Sequence, residues 1–113
     1  MADLDDARAL ALGLPETTEQ DHHGMASFRV RGKIFATVPD DAHLRVMLGE
    51  PAIHAAIAEY PDACEPFYWG KRLACAVVSL ADVDRTMLGE LVTDAWLAKA
   101  PARLAQQLDS ADD

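Results

Sequence analysis

The chain has 113 residues, half of them apolar, and a formal charge of −9 at neutral pH. That length supports one domain with one buried core, not two. No apolar run approaches the roughly 20 residues of a membrane helix, and the acidic opening Met1-Ala2-Asp3-Leu4-Asp5-Asp6 is unlike a secretory leader, so a soluble, cytoplasmic protein, a monomer or weak dimer, is expected. A net negative field disfavours generic nucleic-acid binding. The charge is uneven, however: residues 25–72 carry six basic and six acidic side chains, and the acidic excess lies to either side. A locally positive face backed by acidic helices is therefore compatible with the composition.

In chain order, Leu4, Ala7, Leu10, Ala11 and Leu14 recur at helical spacing, with Asp3, Asp5 and Asp6 at the positive end of the helix dipole and Gly13 and Pro15 as terminators. The polar stretch Glu16 to Gly24 includes a short edge strand around Glu19 to His22. Met25 to Val38 reads as a hairpin around Arg31-Gly32-Lys33, followed by a turn at Pro39-Asp40-Asp41 and a third core strand from His43 to Leu48. Pro51 is tolerated in the first turn of a helix that ends at Tyr60-Pro61-Asp62. Cys64 to Tyr68 is extended, and Leu73 to Leu80 is apolar enough for a central strand. A long helix runs from Asp82 or Asp84 to Ala100. Pro101 starts a short last helix through Leu108, ahead of an acidic tail at 110–113 that reads as frayed. The pattern is an α+β two-layer sandwich, a mostly antiparallel sheet covered on one face by N- and C-terminal helices.

Two registers compete in the hairpin. A two-residue turn at Arg31-Gly32 requires positive φ at Arg31, which a long side chain adopts poorly. A three-residue loop, Val30 to Gly32, avoids this and is preferred. It pairs Arg29 with Lys33 and Phe28 with Ile34, burying Ala26, Phe28, Ile34, Ala36 and Val38 while Ser27, Arg29, Lys33, Phe35 and Thr37 face outward.

The usual catalytic signatures are missing: there is no Gly-x-Ser-x-Gly, His-Glu-x-x-His, Cys-x-x-Cys or glycine-rich phosphate loop. Cys64 and Cys75 read as reduced structural thiols. His22 and His23, adjacent on a strand, would point to opposite faces and so make a poor metal pair, even with Asp21, His43 and His54 elsewhere; no metal or cofactor is expected. Glu65, beside Pro66, Phe67 and Tyr68, is the one faint acid–base candidate and fits an edge-strand glutamate better. The remaining constellation is basic and aromatic. Arg29, Arg31, Lys33, Lys71 and Arg72, with Phe35, Tyr68 and Trp69, could hold a phosphate backbone and stack on bases. The same residues could equally solvate an open sheet face.

The blocks Leu14-Pro15-Glu16, Phe28-Arg29-Val30-Arg31-Gly32-Lys33-Ile34-Phe35-Ala36, Tyr68-Trp69-Gly70-Lys71, Ala95-Trp96 and Ala100-Pro101-Ala102-Arg103-Leu104 resemble the MmcQ/YjbR-like family of small bacterial proteins, from about Ala7 to Leu104. The resemblance implies a single CyaY-like, double-wing domain over residues 1–113, similar in fold to the bacterial frataxin homologue. Family members are commonly labelled DNA-binding. Leu73-Ala74 stands where relatives often have Gly-Trp, and Ala102 where they often have lysine, and both departures remove groups a nucleic-acid surface could use. The likeness to frataxin also raises iron at an acidic ridge such as Asp3, Asp5 and Asp6, which helix-dipole chemistry explains more simply. The expectation is a non-enzymatic protein that binds DNA weakly and with little sequence preference through its open sheet face. The alternative is a protein-interaction or small-ligand module using the same face.

Overall fold

The computed structural model describes residues 1–111, with side chains to residue 108. Helix α1 (Leu4–Leu12) is followed by strands β1 (Thr17–His22), β2 (Met25–Val30), β3 (Lys33–Asp40) and β4 (His43–Val46), then α2 (Glu50–Glu59), β5 (Cys64–Trp69), β6 (Arg72–Ser79), α3 (Arg85–Lys99) and α4 (Ala102–Ala111). The six strands form one sheet in the order β1-β2-β3-β4-β6-β5, and every neighbouring pair is antiparallel. Strand β6 is thus internal, shielded at the edge by β5. The expected acidic tail is partly helical, since α4 continues through Ala111; residues 112 and 113 lie outside the described residues.

Local chemistry sets the helix ends. The Asp3 side chain accepts from the Asp6 amide at 2.9 Å and the Asp6 carboxylate accepts from the Asp3 amide at 3.1 Å, a reciprocal capping box. Asp84 accepts from the Met87 amide at 2.8 Å and starts α3. The core lies between the sheet and the helices. Phe28, Val30, Phe35, Ala36, Leu44, Val46, Ala76 and Val78 from the strands meet Ala7, Ala11, Ile53, Leu88, Val92, Trp96 and Leu104 from the helices. Among the described residues no helix is long and apolar enough to cross a membrane.

The central hairpin adopts the register that local sterics disfavoured. Val30 pairs with Lys33 across a two-residue turn, with φ of 51° at Arg31 and 81° at Gly32. Phe28 pairs with Ala36, not with Ile34 as the three-residue loop would have it, because the register shifts by one residue between Phe28 and Arg29. The extra residue is Phe35. This bulge turns Phe35 into the core, fully buried, and leaves Ile34 opposite Arg29 on the other face. The expected positions of Ile34 and Phe35 are therefore exchanged. Lys33, paired with the core-side Val30, leaves the outer face as well. Arg31 tolerates its left-handed backbone while its guanidinium makes a two-pronged ion pair with Glu16, at 2.8 and 3.0 Å.

Glu16 belongs to the α1–β1 connection, which is held a second time by the Trp96 indole N–H donating to the Pro15 carbonyl at 3.1 Å. Two further ion pairs join α1 to its neighbours, Arg8 to Glu19 and Asp6 to Arg85. The Arg85 and Arg31 guanidiniums hold the Asp6 and Glu16 carboxyls below the usual carboxylate range. Such groups contribute stability that is present at neutral pH and lost as pH falls from about 4.5 through their native values. Asp94 acts in the opposite sense, since burial and then Glu90 and Glu59 raise it. The Arg31→Gln, Arg85→Gln double variant should accordingly show a flatter decline of Tm below about pH 4.5 than the parent. Thermal melts across that range check it, and parallel curves would contradict it.

Candidate functional site

Alternation along each strand sends one set of side chains to the helices and the other to the uncovered face. Because Phe28, Ala36, Val46 and Ala76 are core residues, their neighbours form a row across the open face. Gln20 pairs with Ser27, Ser27 with Thr37, Thr37 with Arg45, Arg45 with Val77 and Val77 with Glu65, crossing all six strands. Ser27 Oγ donates to the Gln20 carbonyl at 2.8 Å and accepts from Arg29 Nε at 3.2 Å. A parallel row holds Arg29 opposite Ile34 and Phe67 opposite Cys75, and at the sheet end Trp69 pairs with Arg72.

Between these rows runs an open groove of about 940 Å³, with Ile34, Thr37, Arg45, Phe67, Trp69 and Cys75 among its walls. Arg45 is its centre. The guanidinium carbon lies 4.4 Å from the centre of the Phe67 ring, a cation–π contact, and Phe67 in turn lies 6.5 Å from the Trp69 ring. Two polar atoms here are buried and unpaired among the described residues, Thr37 Oγ1 and Arg45 Nε. Burial pushes the Cys75 thiol up, and the nearby Arg45 charge offsets only part of that. Cys75 is therefore a neutral thiol at physiological pH and a poor nucleophile. Cys64 faces the core, and both cysteines are free.

The structure gathers only part of the expected site. Trp69 and Arg72 line the groove, and Arg29 lies on the same face. Lys71 is exposed in the β5–β6 turn, beside Gly70 at φ 65°. Tyr68, exposed, alternates away from Phe67 and Trp69. Arg31 is taken by Glu16, Lys33 lies on the other side of the sheet, and Phe35 cannot stack on a ligand because it is core. His23 sits in the β1–β2 turn at φ 54° instead of on the strand, and its ring meets that of His22 edge-on at 4.6 Å. Glu65 is exposed on the edge strand β5, Asp3 is a helix cap and Asp6 is paired with Arg85. Among the described residues no three His, Cys, Asp or Glu side chains are grouped to hold a metal.

Arg45, Phe67, Thr37 and Cys75 were missed. The signal for Arg45 was present, a single charge between the inward Leu44 and Val46. Alternation through Phe67-Tyr68-Trp69 likewise placed Phe67 and Trp69 together.

A six-stranded antiparallel sheet, covered by helices on one face and grooved on the other, defines a small open-faced α+β protein. The chain belongs to the YjbR family, whose model matches residues 12–98. Its fold is similar to that of the Deinococcus radiodurans protein DR2400, described by the domain DUF419, with a TM-score of 0.71 at 21% identity over 86% of this chain and 78% of that one. No curated protein matches it.

Proposed function

We propose that this chain is a non-enzymatic cytoplasmic protein that binds single-stranded DNA weakly and with little sequence preference through the open face. The observation that carries the reading is Trp69, 74% exposed at the tip of the β5–β6 hairpin and paired across it with Arg72. An apolar ring of that size is rarely left in water beside cations without a partner, and a base offers a flat face to stack on it. Lys71, Arg72 and Arg29 supply phosphate contacts. The acidic excess lies outside residues 25–72, which leaves Glu65 and Glu50 as the carboxylates on or beside this face.

The test is a titration with fluorescent single- and double-stranded oligonucleotides at two salt concentrations. Trp69→Ala is expected to cost about 1–3 kcal/mol of single-strand affinity, and Lys71→Ala, Arg72→Ala to flatten the salt dependence. Absence of binding at low salt, or binding indifferent to Trp69→Ala, would sink the reading.

A second reading, a small-ligand module on the same face, is favoured by the unpaired donors in the groove.

A further inference from the structure

We infer that the middle of the open face is a binding site for an aromatic carboxylate, with Arg45 and Thr37 taking the carboxylate and the apolar wall of Ile34 and Met47 receiving the ring. This rests on the open face being the binding surface, and adds a ligand class and a second set of residues to it.

The charge pattern points to an anion. The chain has 19 acidic against 10 basic side chains, and Arg8, Arg31 and Arg85 are each in an ion pair with a carboxylate. Arg45 is partly buried, has Nε fully enclosed, and has no carboxylate or carbonyl partner among the described residues. Leaving a buried donor unpaired is costly, and more so for a charged group. Thr37 Oγ1 adds a second unpaired donor directly across the strand pair, from a residue only 4% exposed. Both atoms are enclosed in the free protein, so the two oxygens of one planar head group meet this row of donors once the Thr37 and Arg45 side chains turn towards the groove.

The head group is a carboxylate because one guanidinium fork matches one carboxylate in plane. Arg72 and Lys99 are the other cations of the groove lining, against the one carboxylate of Glu50, so the lining is positive on balance. The body is flat and apolar because the walls include Ile34, Met47 and the Phe67–Trp69 ring pair. The groove, about 940 Å³, has the size of small-molecule sites, which hold an apolar body with a few convergent polar groups. Stacking on Phe67 holds the Arg45 guanidinium in the groove wall.

The probe is naphthoate, titrated into the whole chain and followed by amide NMR, with the uncharged naphthylmethanol as its control. Saturable shifts are expected at Thr37, Arg45, Phe67 and Cys75 for naphthoate, with the alcohol at least about tenfold weaker. Arg45→Met, which keeps an apolar stem beside Phe67, should abolish the difference between the two probes. Thr37→Val removes the hydroxyl at constant shape and should weaken naphthoate by about threefold to tenfold. Since it also removes an unpaired buried group, it should leave the free protein as stable as the parent or more so, which keeps the test sound if Arg45→Met folds poorly. Equal affinity for acid and alcohol, indifference to both substitutions, or no shift at those amides would overturn the assignment. Oligonucleotide binding is read separately through Trp69→Ala, so failure of one site is distinguishable from failure of the other.

Discussion

Replacing Phe35 with alanine is expected to destabilise the protein by about 3–5 kcal/mol, a large share of the 5–15 kcal/mol that typically holds a domain together. Phe35 has no exposed surface, and it enters the core from a bulge, where no neighbour can slide along a regular ladder to fill the void. Denaturant unfolding monitored by circular dichroism measures the loss. Trp69→Ala is the contrasting variant: with its ring mostly in solvent, it should change stability by no more than about 0.5 kcal/mol. The pair separates two explanations of any binding defect. Binding lost in Phe35→Ala reports a damaged fold, whereas binding lost in Trp69→Ala at unchanged stability reports a lost contact. A shift of under about 1 kcal/mol for Phe35→Ala would show that the bulge can repack and that the core assignment is wrong.

That contrast also shows what could be read from the chain alone. Helix ends were legible to within a residue or two, because Gly13, Pro101 and an aspartate at 82 or 84 act through their immediate neighbours; the cap is Asp84, and Asp3, expected in the first turn, caps α1. The antiparallel two-layer fold was legible because the apolar periods change from helical to alternating at turn residues. The hairpin register was not. Its two candidate turns differ by one residue, and the choice depended on the cost of positive φ at Arg31, a cost judged without Glu16, fifteen positions earlier, as an ion-pair partner. A bulge then puts Phe28 and Ala36 on the expected core face, though as partners of each other and not in the expected pairing, while exchanging Ile34 and Phe35, which no local pattern signals. The candidate site was half legible for the same reason. Trp69, Lys71 and Arg72 are adjacent in sequence, so their proximity needs no fold. Thr37, Arg45 and Phe67 become neighbours only once β4 is seen to pair with β3 on one side and β6 on the other.

Trp96→Ala is expected to match or exceed the Phe35 effect, at about 3–5 kcal/mol, and to act over a wider region. Trp96 is fully buried on α3 and its indole reaches the Pro15 carbonyl, so one side chain fills the core and fastens the α1–β1 connection. Glu16, the next residue, holds the Arg31 turn from the same connection. Leu14-Pro15-Glu16, the Arg31-Gly32 turn and Ala95-Trp96, distant in sequence, therefore meet at one junction, and these family-like blocks are explained by folding without any appeal to ligand binding. Trp96→Phe divides the effect. It keeps much of the bulk but leaves the Pro15 carbonyl without its donor, for a smaller loss of about 1–3 kcal/mol. Hydrogen exchange gives the sharper readout, because in both variants the β1 amides paired with β2 should lose protection before those of β4 and β6. Uniform loss across the sheet would instead mean that Trp96 acts only as core volume, and that the Pro15 contact does not position the edge strand.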